Sequence, residues 1–200
     1  MKIKYLFAAI SLLFSTALSA HWQHVGNAEY TWGPFHVYSV ALSSETGSYQ
    51  ENQRPLMFSI KYGKPIEGKN FAISLIKEME AQQASTDDTN AWLKKMQEIF
   101  PDFSPNDILN FVALDNKGYF IVNDTVLSHE FDAKFTEAFV NIWLSPKSSF
   151  LKLQPQLLGK EKSGQNSKEF QYQPASEPFD EENPMPELPP NYELKKDLKG

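Results

Sequence analysis

The chain has 200 residues, with 25 acidic and 19 basic side chains, a formal net charge of −6 and no cysteine. The acidic balance argues against a nucleic-acid partner, and the lack of cysteine excludes disulfides, thiolate metal sites and lipid attachment at a cysteine. The length is sufficient for one domain with a substantial buried interior.

Residues 1–20 have the pattern of a secretory signal peptide. Lys2 and Lys4 precede an apolar run over residues 6–18, and small residues around Ala20 provide a cleavage site. The run is too short to cross ~30 Å of hydrocarbon comfortably, so a retained membrane anchor is the weaker alternative. We expect a periplasmic or secreted chain that is cleaved near Ala20 and has no transmembrane span when mature.

Three strands are predicted next. Ala28, Tyr30 and Trp32 alternate with polar residues, which is the period of a half-buried strand. Residues 35–42 are apolar on both faces, as in a central covered strand. Residues 56–62 again alternate, which predicts a third strand.

Helical spacing of apolar residues then begins. It predicts one helix over residues 71–79 and a second over residues 92–100. Asp87, Asp88 or Thr89 is expected to cap the second helix.

The remaining pattern returns to strands and ends in a helix. Strands are predicted over residues 108–114, over residues 119–123, and briefly near residues 126–130. Asp132 is expected to cap a third helix, and Gly159 suits a helix C-terminus. The order predicts an α+β fold, an antiparallel sheet with helices packed on one face. The predicted core comprises Val37, Phe58, Ile60, Leu75, Trp92, Phe111, Phe135, Phe139 and Trp143.

Residues 160–200 differ in composition from the rest, with six prolines and an acidic cluster at residues 180–182. Such a segment buries too little apolar area to offset its chain entropy, which predicts a disordered, proline-rich acidic tail. The alternative is a strip that docks on a partner through its aromatic residues, which are Phe170, Tyr172, Phe179 and Tyr192.

Several segments together resemble the bacterial exported branch of the chalcone isomerase-like family. They read VYSVALSS, LMFSIKY, a Trp-containing helix, PDFSPNDIL, GYFIVND and NIWLSPKSS followed by LLG. The resemblance covers about residues 22–159, and we assign the domain to residues 21–159. It implies an open-faced β-sandwich with a ligand cleft between the sheet and the helices.

The resemblance also implies what catalysis would need. Plant enzymes of this fold use an arginine, on the strand before the one that VYSVAL resembles, to hold a phenolate and polarise a carbonyl. Here Ser39 occupies the position of a threonine in that strand, but residues 26–32 contain no basic residue, and Arg54 is the only arginine in the chain. The resemblance therefore favours a non-catalytic relative that binds a small apolar or amphipathic ligand, such as a fatty acid.

The candidate ligand-binding residues are Tyr30, Trp32, Tyr38, Ser39 and Arg54. Core packing is the competing interpretation for the aromatic residues, and a solvated loop position is the competing one for Arg54. A first alternative function is an isomerase or intramolecular lyase that uses Tyr38 and Ser39. A second is an interaction protein of the cell envelope that uses the tail. No cofactor is expected.

Other chemical motifs are weak. The sequence has no G-x-S-x-G, no H-E-x-x-H and no phosphate-binding glycine loop. Residues 128–130 (Ser-His-Glu) cannot form a relay on a strand, because neighbouring side chains point to opposite faces. His21, which follows the predicted cleavage site, is a remote candidate for copper binding with His24, His36 or His129.

Overall fold

A computed structural model describes residues 22–161, with the exception of the Trp32 side chain. The predicted signal peptide, His21 and the tail beyond residue 161 lie outside the described residues. Within the described range the chain forms six strands and four helices. In chain order these are β1 (Gln23–Trp32), β2 (Phe35–Ser44), β3 (Leu56–Tyr62), α1 (Gly68–Ala81), α2 (Thr86–Ile99), β4 (Ile108–Ala113), β5 (Lys117–Val122), β6 (Thr125–Asp132), α3 (Ala133–Leu144) and α4 (Gln154–Leu157).

The six strands form one antiparallel sheet in which spatial order follows chain order, from β1 at one edge to β6 at the other. Helices α1 and α2 lie between β3 and β4 in the chain, and α3 and α4 follow β6. One core joins all four helices to the same sheet face. The predicted α+β architecture, an open antiparallel sheet with helices on one face, is confirmed.

The core follows from the alternation along the strands. Phe58 on β3 and Phe111 on β4 are register partners, and both pack on Phe139 of α3, with ring centroids 5.8 and 4.1 Å away. Eight of the nine predicted core residues are buried. The exception, Val37, is half-buried because it lies near the exposed end of β2.

The ends of the helices test the capping predictions. Asp132 caps α3 as predicted, since its carboxylate accepts a hydrogen bond from the Phe135 N–H at 2.9 Å. Gly159 follows α4 with a φ of +68°, a conformation that favours glycine. The cap predicted for α2 was wrong. The helix begins at Thr86, and Ser85 caps it by accepting from the Asp88 N–H.

Candidate functional site

Three tyrosines form a row across one end of the sheet. Tyr38 of β2 pairs with Tyr30 of β1 on one side and with Tyr62 of β3 on the other. Because side chains directly opposite each other share a face, all three rings point toward the helices. The row therefore brings three phenol groups to the interface between the sheet and the helical layer.

Four aromatic rings enclose the outer part of this row. Tyr30 stacks on Tyr38 with centroids 4.9 Å apart, and Tyr38 meets Trp143 edge-on at 6.0 Å. Trp143 contacts Phe150 at 4.8 Å, and Phe150 returns to Tyr30 at 5.6 Å. We call Tyr30, Tyr38, Trp143 and Phe150 the aromatic quartet. Tyr38 and Trp143 are buried, whereas Tyr30 and Phe150 reach the surface.

The segment that carries the family resemblance builds half of the quartet. Trp143 lies in the last turn of α3, and the loop that follows brings Phe150 back over it. Ser148 holds this loop, because its hydroxyl donates to the Ile142 carbonyl and accepts from the Phe150 N–H. The Gln154 amide then donates to the Trp143 carbonyl at 2.9 Å. These hydrogen bonds satisfy backbone carbonyls at the end of α3 that have no partner within the helix.

Three buried polar atoms without hydrogen-bond partners belong to the quartet or to residues next to it. They are the Tyr62 hydroxyl, the Trp143 indole N–H and one carboxylate oxygen of Glu78 on α1. Glu78 lies close enough to Tyr38 for its charge to raise the pKa of that phenol. Buried groups of this kind cost free energy unless they have a partner, so a polar atom placed beside them would gain hydrogen bonds.

The phenol groups of Tyr38 and Tyr62 both stay protonated at neutral pH. Desolvation is the main cause that raises the pKa of Tyr38, and the neighbouring Tyr30 and Glu78 add to it. Desolvation likewise raises the pKa of Tyr62 well above its ordinary value, with Tyr38 and Asp107 as lesser causes. Protonated phenols are hydrogen-bond donors and not bases, so these two groups suit a ligand oxygen.

The five predicted ligand residues do not all meet. Tyr30 and Tyr38 lie in the quartet. Ser39 follows Tyr38 on the strand and so lies on the opposite sheet face, where its hydroxyl is 2.9 Å from His36 Nε2. Trp32 pairs with Phe35 at the β1–β2 turn, and its side chain is not described.

Arg54 lies at the other end of β3. Its guanidinium donates to a Glu137 carboxylate oxygen at 2.9 Å and to the Gln53 carbonyl at 2.7 Å. Tyr62, the register partner of Tyr38, is six residue steps along β3 from Leu56, which is a distance of roughly 20 Å. Among residues 22–161, no ion pair or cation–ring contact involves a member of the aromatic quartet.

The Ser-His-Glu triplet on β6 forms no relay. His129 approaches Glu98 of α2 at 3.5 Å, while Glu130 pairs with Lys117 of the neighbouring strand at 3.0 Å. No group of three or more His, Asp or Glu side chains within residues 22–161 is arranged to hold a metal ion. The copper hypothesis depends on His21, which is outside this range.

Sequence reasoning missed four members of the site, which are Tyr62, Glu78, Trp143 and Phe150. Tyr62 could have been found from the strand alternation, since it shares its face with Phe58 and Ile60. Trp143 was predicted only as a core residue, and Tyr62 only as part of a strand. Phe150 carries no periodic signal, because its position depends on the loop.

The described part of the chain contains no helix with the length and apolar character needed to cross a bilayer. A family model described as chalcone isomerase-like matches residues 35–159. The chain is also 64% identical, over 194 residues, to an uncharacterized protein of Haemophilus influenzae, a match that covers 97% of this chain and 96% of that protein.

Proposed function

This chain belongs to the chalcone isomerase-like family, and from that premise we propose that it is an exported, periplasmic protein that binds a small apolar or amphipathic ligand, such as a fatty acid, without catalysing a reaction. The observation that carries the proposal is the aromatic quartet. Its outer rings reach the surface, and its inner rings adjoin buried hydrogen-bonding atoms that have no partner.

The quartet and the neighbouring Tyr62 together suit the two parts of such a ligand. Tyr30 and Phe150, which contact each other edge-on and reach the surface, offer apolar ring surface to a hydrocarbon chain. Further in, the Tyr62 hydroxyl and the Trp143 N–H can donate to a carbonyl or carboxyl oxygen. Most binding sites for small molecules are apolar, with a few placed polar groups that orient the ligand.

The non-catalytic part of the proposal depends on charge. The ring-closing reaction of the plant enzymes of this fold needs a cation that stabilises a phenolate and a developing oxyanion. Arg54 is about 20 Å along the sheet from the tyrosine row and is already engaged by Glu137. Burial is the main cause that disfavours an anionic Tyr38, and the neighbouring Tyr30 and the Glu78 carboxylate add to it by raising the pKa of the phenol further.

The location is supported by the sequence of residues 1–20, in which a basic start, an apolar run and small residues follow one another. Expression of the whole chain, followed by cell fractionation and determination of the N-terminal residue, tests it. Cleavage near Ala20 and recovery from the periplasm are the expected result. An uncleaved chain in the cytoplasm would contradict the exported location.

Mass spectrometry of the natively purified protein tests the binding. We expect an extractable fatty acid or similar amphiphile in near-stoichiometric amount, and a smaller amount from Tyr38→Phe than from the neighbouring, opposite-facing control Ser39→Ala. A ligand-free protein that also takes up no added fatty acid would overturn the proposed function.

One observation favours a second candidate, an isomerase or intramolecular lyase. A buried Glu78 oxygen without a hydrogen-bond partner lies near a protonated Tyr38, and a carboxylate and a phenol can act as a base and an acid in one site. Ser39 has no part in this version because it is on the other sheet face. Turnover across a panel of enones and ketones, lost in both Glu78→Gln and Tyr38→Phe, is the result that would favour the enzyme.

A further inference from the structure

The sheet has a second apolar cluster on the face away from the helices. Its buried members are Trp22, Met57, Val112, Leu114, Tyr119 and Ile121, with Val126 at its margin. We call this surface the second face. No residue of α1, α2, α3 or α4 belongs to the cluster, so helix packing within residues 22–161 does not account for it.

A polar row crosses the second face. Asn27, Ala41, Ser59 and Asn110 are successive register partners on β1 to β4. Ser59 is 0% exposed and Asn110 is 1% exposed, yet the Ser59 hydroxyl, the Asn110 side-chain carbonyl and the Asn27 amide nitrogen have no hydrogen-bond partner. A buried donor or acceptor without a partner costs about 1–3 kcal/mol. The row therefore needs a partner that offers both donors and acceptors, as an extended backbone does.

We propose that residues 162–200 of the same chain dock across the second face. The described chain ends on the helix side of the sheet at its β1 edge, so the next residues need only pass around that edge to reach the second face. Gly159 lies against β1 so closely that a Cβ on it would be 2.4 Å from the Val25 carbonyl oxygen, and a Cβ on Gly26 would be 2.6 Å from the Gly159 nitrogen. The following segment thus starts at the β1 edge of the sheet.

The segment is long enough to make the crossing. Five steps between neighbouring strands of ~4.8 Å amount to roughly 24 Å. An extended chain advances ~3.3 Å per residue, so about eight residues span the sheet, a small part of residues 162–200. Even the distant margin of the second face, at Val126 on β6, is within its reach.

The composition of the segment matches the surface. Its prolines favour an extended conformation whose backbone carbonyls and remaining N–H groups make no internal hydrogen bonds. Such carbonyls can accept from Asn27 and Ser59, and such an N–H can donate to Asn110. Four aromatic residues are available for the apolar cluster, which are Phe170, Tyr172, Phe179 and Tyr192. A second copy of the chain and a separate protein are the competing occupants.

Cysteine pairs introduced into the full exported chain test the proposal, because the natural sequence has no cysteine that could interfere. Ser59→Cys is combined in turn with Ser167→Cys, Tyr172→Cys and Ser176→Cys. The matched control replaces Ser59→Cys with Ser74→Cys, an exposed position on α1. Should Ser59→Cys prevent folding, Val126→Cys at the margin of the cluster takes its place.

Oxidation at low protein concentration, followed by peptide mapping, gives the readout. We expect that, for one or more of the three tail positions, the intramolecular disulfide forms at least tenfold faster with the cysteine on the second face than with Ser74→Cys. Rates equal to the control at all three positions overturn the proposal. A disulfide between two protomers also overturns it and assigns the second face to a second copy.

Discussion

The Arg54 guanidinium lies 2.9 Å from the Glu137 carboxylate, although the two residues are 83 positions apart in the chain. The Arg54 side chain is 8% exposed and that of Glu137 is 55% exposed. The pair joins the start of β3 to α3 and gives the single arginine a partner. It thereby holds that cation about 20 Å from the tyrosine row.

A double-mutant cycle measures this pair. Because Glu137 is largely solvated, Arg54→Ala and Glu137→Ala are expected to show a coupling free energy of at most about 1 kcal/mol in urea unfolding. The coupling free energy should shrink as the salt concentration rises from 0.05 to 0.5 M, because the Debye length falls about threefold. A salt-independent coupling of several kcal/mol would contradict a pair whose carboxylate is largely solvated.

The aromatic core predicts a large loss on truncation. Phe139 is fully buried and contacts the rings of Phe58, Phe111 and Phe120. Phe139→Ala is expected to lower the free energy of unfolding by about 3–5 kcal/mol. The matched control is Phe35→Ala, at a side chain that is 59% exposed, for which the loss should stay below about 1 kcal/mol. Similar losses for the two variants would be inconsistent with this core.

The α3 cap predicts a smaller loss. Asp132→Ala removes the carboxylate that accepts from the Phe135 N–H, and the expected cost is about 0.5–2 kcal/mol of unfolding free energy. Asp124→Ala, in the exposed β5–β6 turn, is the control and should change stability by less than about 0.5 kcal/mol. Equal stability of Asp132→Ala and the control would mean that the cap does not matter.

The buried phenols predict a loss of stability in alkali. Their pKa values are raised by burial, so above pH 10 the unfolded chain releases protons that the folded chain keeps, and stability falls as pH rises. Each buried phenol contributes up to ~1.4 kcal/mol per pH unit to that fall. Tyr38→Phe should therefore show a shallower decline between pH 10 and 11.5 than the unchanged protein. Parallel declines would contradict a desolvated Tyr38.

The strands were predictable because alternation is a strong local signal. The predicted strand over residues 56–62 is β3 itself, and Asp132 was identified as a cap from its position before an apolar stripe. The start of α2 was missed, although Ser85 and Asp88 form a reciprocal capping pair that the sequence displays. The strand predicted near residues 126–130 extends over Thr125–Asp132, since it pairs along β5.

The site was predicted less completely than the fold. The candidates Tyr30 and Tyr38 lie side by side because they are register partners on neighbouring strands. Ser39 was grouped with Tyr38, although consecutive residues of a strand point to opposite faces of the sheet. Arg54 was grouped with them by chemical type, but its position depends on a tertiary contact with Glu137. The position of Phe150 depends on the loop that the Ser148 hydroxyl stabilises. A loop of this kind leaves no periodic pattern in the sequence.

Titration of the delipidated protein with a fluorescent fatty acid tests the central claim, that the quartet is a binding site without a catalytic cation. We predict saturable one-to-one binding that weakens about tenfold in Tyr38→Phe and in Phe150→Ala, stays unchanged in Arg54→Gln, and stays unchanged in Ser39→Ala on the opposite sheet face. Binding that is lost in Arg54→Gln and retained in Tyr38→Phe would contradict the account.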